Sequence, residues 1–319
     1  VTLTAKEKIC FNAGAECNRD ECEFAKGYHD RIDEAITRAF ETDCLGRDAI
    51  EKIARQSMVC PFELSLELSE LADCIICDYN YVFDPQANLR RFFSRPREAY
   101  LLLVDEAHNL VDRSREMFSA DIRKQAFLDV RRQVKKALPD VYSALTKVNT
   151  RLLRFMKASP DKAQAFAETE LPEDLWLALS DFIKVCEKWL ALNRDASFRE
   201  TLLDLYFGVT RFLKVTELFD ASYAVCCERF AKDFRVRLFC IDPSGPLSRV
   251  LEKSRAAIFF SATLTPTEYF QKTFGCGEAS SGLVLASPFP RENLCVMISN
   301  VSTLFRNRRN TKEMVAGLI

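Results

Sequence analysis

The feature that most constrains the fold is a run of five apolar residues that ends in two carboxylates. Tyr100 to Val104 (YLLLV) is continuously apolar, which is typical of a strand buried in a parallel sheet, and Asp105-Glu106-Ala107-His108 follows at once. In open α/β sheets, ligand-binding and catalytic residues lie just beyond the carboxyl ends of strands. The run therefore predicts an α/β fold with a site at the end of this strand.

The two carboxylates suggest different chemical roles. An aspartate in that position can hold Mg²⁺ on a nucleotide, and the adjacent glutamate can orient and deprotonate an attacking water. Neighbouring carboxylates at a strand end are costly unless a metal ion or a polar network neutralises them. The alternative is an ordinary acidic helix N-terminus, which the helix dipole favours. The apolar run before the tetrad and the histidine after it favour the functional interpretation.

A second apolar run, AAIFF, ends in Ser261-Ala262-Thr263. Small hydroxyl side chains at a strand end can hydrogen-bond neighbouring carboxylates and the histidine. Alone this signal is weak, because a Ser or Thr helix cap has the same pattern. Together with the DEAH tetrad on another strand, it becomes a specific combination.

The 13 cysteines fall into groups. Cys10, Cys17, Cys22 and Cys60 have the spacing C-x6-C-x4-C-x37-C, and Pro61 follows the last of them. Four thiolates can ligate a tetrahedral Zn²⁺ or a [4Fe–4S] cluster, and a Cys-Pro pair also occurs in ferredoxin-type cluster sequences. Unligated thiols are the alternative, because the set contains only one short pair. Seven others lie in apolar runs and are expected to be small buried residues: Cys74, Cys77, Cys186, Cys226, Cys227, Cys240 and Cys295.

Composition excludes several classes. With 45 Lys+Arg against 46 Asp+Glu, the near-zero net charge argues against a general coat of polyanion. A local basic stripe such as Arg90 and Arg91 can still bind nucleic acid, and a solvated surface is the alternative. At 48% hydrophobic it can bury a sizeable core, and it contains no run of 18 apolar residues that would span a membrane. The odd cysteine count without a signal peptide favours a reducing compartment.

Hydrophobic periodicity predicts how the chain is organised. Residues 23–58 have helical spacing, residues 72–77 resemble a short strand, and residues 113–207 have three helical faces with no strand signal. Strands return at Tyr223–Glu228, Arg235–Ile241, Ala257–Phe260 and Leu294–Ile298. The pattern predicts one α/β sheet interrupted by an all-helical insertion.

VDEAHNL, FFSATLTP and the set Cys10, Cys17, Cys22 and Cys60-Pro61 resemble, in this order, the iron–sulfur DNA helicases of the XPD/DinG type in superfamily two. The resemblance implies an incomplete RecA-like parallel-sheet motor domain with two insertions. The expected divisions are an iron–sulfur domain (1–71), a motor part with the DEAH box (72–112), a helical arch (113–214) and a motor continuation (215–319). It also implies ATP-dependent unwinding of DNA with 5′→3′ polarity, in repair or replication. The implied partners are single-stranded and forked DNA, in the cytoplasm, nucleoid or nucleus and not at a membrane.

The resemblance also assigns roles. Asp105 would coordinate Mg²⁺–ATP, Glu106 would activate water, and His108 would couple that site to Ser261–Thr263. The four cysteines would ligate a [4Fe–4S] cluster. Tyr79 and Tyr81 could stack on DNA bases, although buried aromatic residues at a sheet end are the alternative.

The sequence departs from this family in two places. It contains no G-x-x-x-x-G-K-[ST] loop, and the second motor domain expected after SPFPRENLCVMI (287–298) does not follow. We therefore expect the central part of a longer helicase, without efficient ATP hydrolysis on its own, and not a natural degenerate product. The alternative from a different class is a non-enzymatic iron–sulfur or zinc module for DNA binding or assembly.

Overall fold

The computed structural model describes residues 1–14, 17–85, 100–158, 164–193, 196–230, 233–302 and 304–318. They form two compact units, Val1–Ser280 and Ser281–Ile319. Arg90 and Arg91, the predicted basic contacts to DNA, lie outside the described residues. Among the helices of the described part, none has the length and hydrophobicity needed to cross a membrane.

The N-terminal helices pack around an apolar core of their own. They are α1 (Lys6–Ile9), α2 (Tyr28–Ala39), α3 (Arg47–Gln56) and α4 (Pro61–Leu71). Ile32 of α2, Ile50 and Ile53 of α3 and Leu64 of α4 are buried together. The helices predicted within residues 23–58 are thus confirmed. Pro61 begins α4, a position that suits proline because the first helical N–H has no intrahelical partner.

The parallel sheet in the described residues has two strands. A single helical turn, α5 (Asn80–Phe83), precedes β1 (Leu101–Val104), which pairs in parallel with β6 (Ala256–Phe259). The predicted strand and the parallel sheet are confirmed, but the predicted burial of β1 is wrong. Leu101 and Leu103 are 68% and 69% exposed, because within the described residues one face of this two-stranded sheet has no cover. Val104, on the other face, joins the large core.

In the sequence between β1 and β6, the chain forms a mixed α/β block that begins with α6 (Leu110–Met117). Its sheet is antiparallel, in the order β2-β5-β4-β3. The strands are β2 (Ala120–Arg123), β3 (Ala165–Glu168), β4 (Tyr223–Arg229) and β5 (Phe234–Cys240). The predicted all-helical insertion is therefore wrong. The sheet also spans the predicted boundary between residues 214 and 215, because β4 and β5 pair with the strands of the insertion.

The predicted helices of this block are nevertheless present: α7 (Lys124–Val134), α8 (Pro139–Ala158), α9 (Glu173–Leu192) and α10 (Arg199–Thr216). Phe127, Leu145 and Phe182 are fully buried, one on each of the first three. These helices and the inner face of the antiparallel sheet share one large core.

Two predicted strands are absent. Residues 72–77 contribute one isolated parallel bridge between Thr2 and Ile76. Leu294–Ile298 has no regular structure within the second unit, in whose described residues the one α-helix is Arg308–Ala316. Two further helices of the first unit, Ser244–Leu251 and Thr267–Thr273, flank β6 in sequence.

Candidate active site at the ends of two parallel strands

The hydrogen bonds between β1 and β6 continue past the end of both strands. The Phe260 N–H donates to the Val104 carbonyl at 3.0 Å, and the Ala107 N–H donates back to the Phe260 carbonyl at 3.1 Å. This extended ladder brings the DEAH tetrad alongside Ser261. These hydrogen bonds hold together two segments that the sequence predicts to lie at the same carboxyl edge of a parallel sheet.

Three predicted side chains form one hydrogen-bonded group. The Ser261 hydroxyl lies 2.7 Å from His108 Nδ1 and 3.3 Å from Glu106 Oε2. His108 Nδ1 is also 3.3 Å from the same carboxylate oxygen. A carboxylate only accepts, so the hydroxyl donates to Glu106. It can then accept from His108 in the tautomer that carries its hydrogen on Nδ1.

Thr263 extends this group. Its backbone N–H donates to the Ser261 hydroxyl at 3.3 Å, and the two hydroxyl oxygens are 3.4 Å apart. A change at the Glu106 carboxylate can therefore reach the Thr263 backbone through one hydroxyl. Ala262 stands between the two hydroxyl residues and is itself exposed.

The turn that carries the carboxylates has an unusual backbone. Glu106 has φ 47°, in the left-handed region that residues other than glycine seldom adopt. The Tyr79 hydroxyl donates to the carbonyls of Asp105 and Glu106, the second at 3.0 Å. Burial, and next the charges of Asp105 and Glu106, raise the pKa of Tyr79, so the phenol remains a donor. Tyr79 thus holds the turn by hydrogen bonds to its backbone. Sequence reasoning missed this contact because it depends on where α5 packs.

Asp105 differs from Glu106 in its surroundings. Its carboxylate is exposed beyond β1, and Oδ1 accepts the Glu106 N–H at 2.7 Å. Mg²⁺ prefers oxygen ligands and is commonly held by one or two carboxylates plus substrate phosphates. An accessible carboxylate at this strand end fits that description.

The four predicted ligand cysteines do not form a ligand set in this structure. Across the described ranges, no three His, Cys, Asp or Glu side chains are placed to hold a metal ion. Burial is the main cause that raises the pKa of Cys60, and the charge of nearby Cys10 adds to it. Cys17 hydrogen-bonds with Lys6, which raises the lysine pKa. A cluster on these four residues remains a prediction.

The remaining predictions have mixed outcomes. Cys186, Cys227 and Cys240 are buried as expected, but Cys74 and Cys295 are exposed, since neither lies in a strand. Cys77 and Cys226 are half-buried. The Tyr81 side chain is also half-buried, and burial raises its pKa.

A family model matches the N-terminal part of the chain. Residues 2–127 match the DEAD_2 family. The matched residues include the four cysteines, the Tyr79 turn and the DEAH tetrad, while Ser261 lies beyond them.

Curated proteins similar to this chain are named as helicases. The ATP-dependent DNA helicase CHL1 of Yarrowia lipolytica is 21% identical over 353 residues, which cover 94% of this chain and 42% of that protein. The regulator of telomere elongation helicase 1 homolog of Caenorhabditis elegans is 26% identical over 171 residues, covering 52% of this chain and 16% of that protein. The predicted resemblance to XPD-like helicases of superfamily two is thereby confirmed. The chain spans less than half the length of these two relatives.

A third relative and a solved structure are also similar to this chain. The Fanconi anemia group J protein homolog of Gallus gallus is 33% identical over 70 residues, covering 22% of this chain and 5% of that protein. The structure of S. tokodaii Xpd4 covers 90% of this chain and 61% of that chain at 14% identity and a TM-score of 0.43.

Proposed function

We propose that this chain is the central part of an ATP-dependent DNA helicase, and that the group of Glu106, His108 and Ser261 links nucleotide hydrolysis to movement on DNA. The main support for the proposal is the pair of hydrogen bonds that join Ser261 to Glu106 and to His108 across two parallel strands. The relatives named as ATP-dependent DNA helicases support the same activity.

Asp105 is the proposed magnesium ligand, and bound Mg²⁺ would neutralise phosphate charge as the terminal phosphoryl group is transferred. Glu106 is the proposed base. It accepts a proton from the attacking water while the water oxygen forms the bond to phosphorus and ADP leaves. A protonated Glu106 no longer needs the Ser261 hydroxyl as donor, so Ser261 is free to reorient relative to His108 and the Thr263 N–H.

The finer assignments follow from the resemblance. We propose 5′→3′ movement on single-stranded DNA, unwinding of forked DNA in repair or replication, and a location in the cytoplasm, nucleoid or nucleus. Residues 1–71 are the proposed iron–sulfur domain, and the mixed α/β block between α6 and β5 is the proposed arch. The four cysteines are the proposed cluster ligands on the strength of their sequence pattern. Base stacking by Tyr79 or Tyr81 is the least supported of these proposals, since the Tyr79 hydroxyl is already engaged by the DEAH turn.

The deciding experiment compares Glu106→Gln with the native residue in a longer form of the protein that includes a phosphate-binding loop. The variant should bind ATP with Mg²⁺ normally and lose DNA-stimulated hydrolysis by about a hundredfold or more, the range expected for a positioned general base. Glu187→Gln, at an exposed position on α9, is the matched control and should retain full activity. Retained turnover in Glu106→Gln removes Glu106 as the base. DNA binding without any hydrolysis in the native protein would favour the non-enzymatic module instead.

A further inference from the structure

A groove in the mixed α/β block lies apart from the DEAH turn and has no part in the chemistry above. It has a volume of about 430 Å³ and runs between β2, α7 and α10. That volume is within the range of binding pockets for organic ligands and peptide side chains. The floor is apolar and consists of buried side chains: Ile122, Phe127, Val130, Leu205 and Val209.

The rim of the groove is acidic. Asp121, Asp129 and Asp204 line it together with one cation, Arg123. Asp121 is 3.9 Å from Arg123, and Asp129 pairs with Arg132 at 3.1 Å. Asp204 is exposed and has no ion pair among the residues that the structure describes. The three aspartates exceed the cations Arg123 and Arg132 by one charge. An apolar floor inside such a rim is complementary to an apolar surface flanked by lysine or arginine.

Gly208 gives an independent reason to expect an occupant. It lies within the 18-residue helix α10, where glycine costs about 1 kcal/mol relative to alanine. A Cβ added at Gly208 would meet no atom within 4 Å, so packing inside this chain does not require glycine there. The missing side chain does keep the groove open and lets another backbone approach closely. Ala126, also exposed, is the small residue on the α7 side.

The length of the groove favours a helix as its occupant. Its lining on α10 extends from Thr201 to Val209, which corresponds to about 12 Å, or slightly more than two helical turns. An amphipathic helix that lies in a groove uses apolar anchors at i, i+4 and i+7 over a similar length. We propose that this groove binds a short basic amphipathic helix of a partner protein. Its apolar side chains would cover the floor, and its cations would face Asp129 and Asp204.

The test uses the 319-residue chain and a synthetic fluorescent peptide of about two to four helical turns, with leucine at helical spacing and lysine on both flanks. Fluorescence anisotropy should show saturable binding. A matched peptide with glutamate in place of lysine should bind at least about tenfold more weakly. Spermine, a cation without apolar anchors, should not displace the lysine peptide.

Variants locate the binding site. Gly208→Leu fills the groove and Asp204→Lys reverses its rim charge, so each should weaken the lysine peptide about tenfold or more. Asp181→Lys, an equal charge change at an exposed position on α9, should leave binding unchanged. Gly208→Ala separates a binding defect from a folding defect. It should raise the thermal midpoint of the chain while still weakening the affinity for the peptide. Absence of saturable binding, equal binding of the glutamate peptide, displacement by spermine, or full binding by Gly208→Leu would each overturn the proposal.

Discussion

His108 Nδ1 and the Ser261 hydroxyl lie 2.7 Å apart, although 153 positions separate the two residues along the chain. Each follows a different strand of one parallel pair, so the contact exists only when β1 and β6 are in register. A hydrogen bond that depends on register is suited to reporting small movements of one strand end relative to the other.

The first prediction concerns this contact. In a longer active form of the protein, Ser261→Ala should reduce DNA unwinding about tenfold more than it reduces ATP hydrolysis, because the proposed coupling is lost while the base remains. His108→Ala should have the same effect. Strand-displacement and phosphate-release assays on one preparation measure both rates. His29→Ala, at an exposed position on α2, is the matched histidine control. An equal loss of both rates would show that the pair acts in hydrolysis itself.

The second prediction concerns the support of the DEAH turn. Tyr79→Phe removes the donor that two carbonyls share, and should destabilise the first unit by about 1 kcal/mol, as for one net hydrogen bond. Urea unfolding followed by circular dichroism measures the loss. Tyr81→Phe, two residues further along the chain, is the control and should leave the urea midpoint unchanged. Equal midpoints for Tyr79→Phe and the native chain would show that the hydroxyl contributes nothing to the turn.

The same residue predicts a pH dependence. The pKa of Tyr79 is raised on folding, first by burial and then by the nearby carboxylates, so the folded chain holds this proton more tightly than the unfolded chain. The resulting stabilisation is complete below the ordinary tyrosine pKa of about 10 and is lost as pH rises through the folded value. The native chain should therefore lose stability above about pH 10 more steeply than Tyr79→Phe. Parallel curves for the two proteins would contradict this assignment.

The third prediction concerns the four cysteines. If they ligate a [4Fe–4S] cluster, anaerobically purified protein should contain iron and absorb broadly in the visible range, and Cys22→Ser should lose both. Cys44→Ser, at an exposed cysteine outside the set, should retain them. Zinc without visible absorbance would indicate a zinc site, and an unchanged spectrum in Cys22→Ser would remove that residue from the ligands.

The fourth prediction concerns thiol reactivity. Burial raises the pKa of Cys186 and of Cys227 to about 12, and that of Cys240 to about 11. Only the thiolate reacts with iodoacetamide, so these three should remain unmodified in the folded chain at about pH 8. The exposed Cys44 and Cys74 should react readily, and every cysteine should react in urea. Mass spectrometry after timed quenching identifies the sites, and early labelling of Cys227 would show that β4 opens.

The geometry of the candidate site was largely predictable because two continuous apolar runs each ended in recognisable polar residues. Once β1 and β6 are parallel neighbours, Glu106 and Ser261 must meet at one edge. The left-handed backbone of Glu106 and the hydrogen bonds that its turn accepts from Tyr79 have no sequence signal, because both depend on tertiary packing. The four-residue strands β2 and β3 were also unpredictable, because alternation over so few residues does not differ from the start of a helix. They form only because β4 and β5 offer them partners.

The pairing of β2 with β5 closes the mixed α/β block near the point where it begins. Ala120 lies opposite Leu238, the Ser119 hydroxyl accepts the Cys240 N–H at 2.9 Å, and Arg115 Nε donates to the Ile241 carbonyl at 3.1 Å. The segment that enters this block and the segment that leaves it are thus hydrogen-bonded to each other. Changes in loop length far from this pairing are therefore expected to leave the alignment of β1 with β6 in place, whereas changes in the shared core would reach Val104.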